Sequence, residues 1–383
     1  MSSSDGPSAA DQQLIDHATR HGLTVTAKQL AVWRRAGLLP ANVRGGGLGR
    51  GKGSTSSPPS ESFDLVLALA RRAGRGKRPA DLALLLFADG LPVPEPTVRA
   101  AFRAAVETIA IPGDSDGSGG ATQDLDQHLD DLADRLAETG QAVTLVPARA
   151  RRIDERIAAV LGEPPAELTS LDSNAGATQL TPQDVTLSAV SATLGGSVSL
   201  QEIGDLVRAM NPTMAAHPIA SLIETTQQDV PDAAARILAD DGSLTVIPDG
   251  DVRDLLRDLA ETASLEDLSV SWSTAMQVRA WALDLCERVE GELDAGQLAE
   301  AVMEWLCGRQ LMSGLSVIET LRDRRWSPSK GALSALTLLF LCDRLAVIDG
   351  LVPGCQWHVL QVPGVLPPPV RELILTKAAS STG

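Results

Sequence analysis

Tyrosine is absent from this 383-residue chain, and aromatic side chains make up only 3 % of it. Cysteine is nearly as sparse. Cys286, Cys307, Cys342 and Cys355 are far apart and form no C-x-x-C pair, which argues against structural zinc and leaves free thiols as the expectation. The opening MSSSDGPSAADQQ has no apolar signal core. The longest apolar run, ALSALTLLFL at 332–341, is too short to span a bilayer. A cytoplasmic protein with no membrane partner is therefore expected, and disulfides are not.

Catalytic and cofactor signatures are missing too. The sole G-x-S-x-G match, Gly113 to Gly117, falls within the polar PGDSDGSGGAT stretch, with no apolar strand before it. Asp249-Gly250-Asp251 lacks the distal glutamate of a calcium loop and reads as a turn with a helix cap. His17 and His21 are four apart, but the glutamate of a zinc-protease helix is not between them, so they read as a helix surface. The expectation is no enzyme, no cofactor and no metal.

Residues 44–55, RGGGLGRGKGST, imitate a phosphate-binding loop. From Gly46 the spacing runs through Gly51 and Lys52, but Gly53 stands where Ser or Thr should bind the metal. Upstream lies no apolar strand, and Pro58 and Pro59 block a helix directly downstream. Nucleotide binding is set aside, and the basic loop needs another explanation.

Positive charge is scarce overall, with a net of −16, yet it is concentrated. Residues 17–103 carry 14 Lys/Arg against 5 Asp/Glu, a net of +9, whereas residues 104–383 carry 19 against 41, a net of −22. A basic module on an acidic body points to a polyanion partner for the first part and a different task for the second.

The pattern is mainly α. Helical spacing predicts segments at 11–22, from Ala27 after a Thr26 cap, at 62–73, from Pro79, and at 96–110 with Val98, Phe102, Val106 and Ile109 on one face. PGDSDGSGGAT marks a linker at 111–122. Beyond it lies a helical body, 123–383, with a sub-boundary at 163–182. Helices are expected at 123–139, 151–162, 250–262, 267–289, 294–307, 311–324 and 330–345, with a capping box from Ser199 to Glu202. A short strand is expected within VTLVPARARR, and a small terminal β hairpin within AVIDGLVPGCQWHVLQVPG.

Helix, short turn, helix and basic glycine loop is the order of a winged helix-turn-helix. TAKQLAVWRRAGLLP at 26–40 resembles the recognition helix of the MerR family of transcription regulators, with Thr26, Leu30, Trp33 and Gly37-Leu38-Leu39-Pro40 at the family's cap, apolar, aromatic and terminal positions. The resemblance covers about 11–90 and implies that 41–60 is the wing. Ala31 and Val32 stand where the family carries an Arg-Tyr pair, and the 111–122 linker replaces its long dimerisation helix, so homodimerisation stays open. Double-stranded DNA is the implied partner. Lys28 and Gln29, in the first turn, are placed to read guanine and adenine edges. Arg34 and Arg35, and Arg44, Arg50 and Lys52 of the wing, are placed for phosphates.

In the body, Trp272, Met276, Trp281, Met303 and Trp305 gather within a chain otherwise poor in aromatics. They are a candidate pocket for a protein partner or small apolar ligand, against the commoner use as core. The expected protein is thus a DNA-binding transcription regulator with a sensing body. The alternative is an interaction scaffold whose helix-turn-helix does not bind DNA.

Overall fold

The structure, a computed structural model, describes residues 7–44, 56–74, 77–109, 146–162, 252–309, 311–322 and 325–381. The expected helix at 123–139, the linker, the sub-boundary at 163–182 and the Ser199–Glu202 capping box lie outside them. Among the described residues the fold is mostly helical, and strand is confined to two short segments.

Helix α1 (Ala9–Arg20) is started by Ser8, whose hydroxyl accepts from the Asp11 N–H at 3.1 Å, and it buries Ala10, Leu14 and Ala18. Gly22, at φ +72°, ends it. Helix α2 (Ala27–Arg35) buries Leu30 and Trp33. Gly37 then takes φ +71°, while the Gly37 and Leu38 N–H groups bond back to the Arg34 and Trp33 carbonyls. A side chain there is doubly excluded, since a Cβ would lie 2.4 Å from the Thr97 hydroxyl oxygen, which itself donates to the Gly37 carbonyl.

Strands β1 (Val43–Arg44) and β2 (Ser56–Ser57) pair antiparallel, Val43 opposite Ser57 and Arg44 opposite Ser56. Helices α3 (Glu61–Arg72), α4 (Pro79–Ala88) and α5 (Glu95–Val106) follow. Pro79 begins α4, where its missing N–H costs nothing.

The remaining described helices are α6 (Ala148–Leu161), α7 (Val252–Thr262), α8 (Leu265–Asp294), α9 (Glu300–Arg309), α10 (Met312–Arg322), α11 (Pro328–Leu351), α12 (Cys355–Gln361) and α13 (Pro368–Ser381). The chain divides into two compact units. One comprises Met1–Ile109 with Arg257–Ser273 and Trp326–Leu336; the other holds the rest. Sequence alone put the first module within residues 1–110, where composition changes. Its packed unit also takes in two later segments.

Those segments complete an aromatic core. Phe87 meets Phe102 edge-on at 5.8 Å, Phe102 meets Trp272 at 6.2 Å, and Trp272 meets Trp326 at 5.9 Å. Edge-to-face contacts of this kind add about 0.5–1.5 kcal/mol each beyond area burial. Arg99 donates to the Ala260 and Glu261 carbonyls at 2.9 and 2.6 Å, satisfying backbone acceptors in the last turn of α7.

The second unit packs Ala150, Ile153 and Ile157 of α6 with Leu285, Cys286 and Val289 of α8, Val302 and Trp305 of α9, and Val317 and Ile318 of α10. Glu292 accepts from the Ala299, Ala301 and Val302 N–H groups at the start of α9, and these bonds, Ala301's foremost, hold its carboxyl below the usual range. A smaller cluster joins Leu345, Leu360, Leu366, Val370 and Ile374.

One β expectation is corrected. The terminal hairpin is helical: α11 runs on to Leu351, and α12 and α13 follow. Gly354 (φ +87°) and Gly364 (φ +79°) are breaks between helices; Val359 and Leu360 pack into the Leu345 cluster, while Val347, Leu351 and Val362 stay exposed. Of the strand expected in VTLVPARARR, residues 143–145 lie outside the described residues, and Pro147 caps α6, which starts at Ala148. The 332–341 run belongs to the 24-residue α11, long and apolar enough to cross a bilayer, with Ala332, Ala335, Leu336 and Leu339 buried in the fold.

Candidate nucleic-acid interface

The start of α2 is fixed by its own side chains. The Thr26 hydroxyl accepts from the Gln29 N–H at 3.2 Å, and the Gln29 side-chain oxygen accepts from the Thr26 N–H at 2.8 Å. This reciprocal capping box satisfies two backbone donors that a helix start leaves open. Thr26 is the cap read from sequence, whereas Gln29, although exposed, has its oxygen engaged, so the amide is not available for the two-point contact with adenine.

Lys28 is exposed on the same turn. Ala31, Val32 and Arg35 continue its face, with Val32 45 % exposed. Their spacing from Lys28, three, four and seven residues, stacks them on one side of the helix. Val32 was not singled out from the sequence, although its position four residues after Lys28 was the signal.

Arg34 points elsewhere. Its guanidinium is 2.6 Å from Asp11 of α1 and donates to the Asn42 side-chain oxygen at 3.0 Å, with the side chain 19 % exposed. It ties α1, α2 and the base of the β1–β2 pair together, and the phosphate role given to it is corrected on that ground. Arg35 remains at the exposed end of α2. Arg44 occupies β1, opposite Ser56. Arg50 and Lys52 lie outside the described residues.

Much of the remaining positive charge in this unit is already matched. Arg72 pairs with Asp89, Arg78 with Asp81 at 3.2 Å, Arg99 with Glu95 at 2.7 Å and Arg103 with Glu261 at 2.9 Å. An open cleft of about 350 Å³ runs beside α2, lined by Gln29, Val32, Trp33, Gly74, Lys77 and Leu82 among others. The His17 and His21 rings lie 4.6 Å apart, tilted by 49°, with Phe63 edge-on to His17 at 5.0 Å. Burial first, then the neighbouring His21 and Arg20, lowers the His17 pKa, which suits a packed imidazole. Among the described residues no group of three or more metal-ligating side chains is present.

The five residues proposed as one pocket serve separate purposes. Trp272 belongs to the aromatic core of the first unit. Trp305 is buried in the second unit and donates to Asp154 at 2.7 Å. Trp281 packs at the edge of that core and donates to Glu304 at 2.9 Å. Met276 is half-buried, and Met303 is 55 % exposed. The pocket is therefore corrected to core and surface positions, the ordinary use of large apolar side chains. No protein-family model, curated protein or solved structure matches this chain.

Proposed function

We propose that this protein is a DNA-binding transcription regulator of MerR-like type. In this reading α1 and α2 form a helix-turn-helix, and the β1–β2 pair with its basic glycine loop forms the wing. The observation that carries it is the α2 surface: Lys28, Ala31, Val32 and Arg35 share an exposed face in a unit that also holds the β1–β2 strand pair, and Arg50 and Lys52 lie between those strands in the sequence. A helix presenting its first turn to base edges, with a cationic loop against the backbone, is how such modules dock. The acidic second unit serves for a protein partner or effector.

The test is a duplex-binding titration of the full chain over a salt series. Affinity should fall steeply between about 50 and 200 mM salt as counterions are released. Failure to bind genomic duplex fragments even at the lowest salt would sink the reading. The second reading, a partner-binding scaffold without DNA affinity, is favoured by the ion pairs that occupy Arg34, Arg72, Arg78, Arg99 and Arg103. A stoichiometric protein partner retained after nuclease treatment, with no duplex binding, would support it.

A further inference from the structure

We infer that Lys28 and Val32 are the sequence-reading pair of α2, selecting a guanine and, within about two base pairs of it, the 5-methyl group of a thymine. This rests on the DNA-binding reading and goes beyond it by naming what is read.

Leu30 and Trp33 are buried in the module's core. Thr26 and Gln29 are held to each other by the capping box. Arg34 is held by Asp11 and Asn42. Of the early positions, Lys28, Ala31 and Val32 keep exposed side chains, and Arg35 extends the face at the C-terminal end.

A lysine in the major groove pairs with the O6 and N7 acceptors of guanine. An apolar side chain there has one complementary group, the thymine methyl. A valine left 45 % exposed on a cationic face is thus suited to a methyl contact, with Ala31 beside it. Lys28 and Val32 are four residues apart, a rise of about 6 Å. That matches roughly two base-pair steps of about 3.4 Å.

The experiment uses the full chain. Preferred duplexes are selected from a random library, and each thymine of the selected site is then replaced by deoxyuridine, which lacks only the methyl. One thymine near the preferred guanine should show about three- to fourfold weaker binding on replacement, the effect of losing one buried methyl. In Val32→Ala that ratio should fall to about one with the melting temperature unchanged, because the side chain is exposed. Val32→Thr, which keeps a methyl, should retain it. Lys28→Ala should lose the guanine preference but keep the thymine effect. The inference is overturned if no thymine replacement matters, or if Val32→Ala keeps the wild-type ratio. Absence of any selected duplex would overturn the DNA-binding reading itself, and this inference with it.

Discussion

Asp154 holds Arg309 inside the second unit, 2.9 Å from Arg309 Nη2 through Oδ2, while Oδ1 accepts from Trp305 Nε1 at 2.7 Å. The Arg309 side chain is only 2 % exposed, and its guanidinium lies 5.9 Å from the centre of the Trp305 ring. Removing one member of such a buried pair leaves the other charged without compensation, at a cost of about 3–5 kcal/mol. Asp154→Asn and Arg309→Met should each lose about that much in urea unfolding. The double variant Asp154→Leu/Arg309→Met should lose much less. Single variants within about 1 kcal/mol of the parent would show that the pair contributes little.

Trp272 lies far along the chain from the basic module, yet it contacts Phe102 and Trp326 in the same unit. Trp272→Ala should cost about 3–5 kcal/mol and lower duplex affinity through unfolding. A Cβ on Gly331 would lie 2.8 Å from Trp326 and 2.9 Å from Trp272. Gly331→Ala should therefore destabilise by about 1–3 kcal/mol through overpacking. Thermal melts and near-ultraviolet circular dichroism measure both. A fragment ending at residue 110, which lacks both tryptophans, should melt below the full chain's first transition.

The capping box separates stability from selectivity. Thr26→Ala should cost about 0.5–2 kcal/mol of stability. Gln29→Ala should reduce stability and leave sequence preference in place, whereas Lys28→Ala should leave the melt unchanged and cost about 1–3 kcal/mol at the preferred site. Melting curves beside binding to preferred and scrambled duplexes discriminate these outcomes. Loss of preference in Gln29→Ala at full stability would return base reading to the glutamine.

Phosphate anchoring has a different signature. Arg50→Ala and Lys52→Ala should weaken binding to all sequences alike and reduce the salt slope by about one each. Arg34→Ala should instead lower the melting temperature without DNA, because it removes the link from α2 to Asp11 and Asn42. Unchanged salt slopes in the two loop variants would remove the wing from the interface.

Burial pushes the Cys286 thiol up to about 11, while Cys307 is exposed. A thiol reagent at pH 8 should modify Cys307 quickly and reach Cys286 only after denaturant is added. The raised value favours the protonated folded state. Its contribution to stability is present below the ordinary thiol value of 9.0 and is lost as pH rises towards 11. Cys286→Ala should flatten the alkaline part of the stability profile. Rapid modification of Cys286 in the native protein, located by peptide mapping among the four cysteines, would contradict the burial.

Local chemistry determined much of this molecule from sequence. Thr26 with Gln29, Pro79 and Gly37 each act within a few residues, and they fixed where α2, α4 and the turn after α2 begin or end. The glycine-rich segment between Val43 and Ser57 likewise announced a loop, and its flanks pair as strands. Tertiary structure decided what depends on partners distant in the chain. Arg34 reads as a phosphate contact until Asp11 and Asn42 claim it. Trp272 and Trp305 read as neighbours until each is packed in a different unit. The terminal apolar pairs read as a hairpin until Leu345, Leu360 and Leu366 share one core. Helix caps and turns are settled by the energies of adjacent residues. The destination of a cation or a large apolar side chain is settled by which distant surface removes it from water, and no local pattern carries that information.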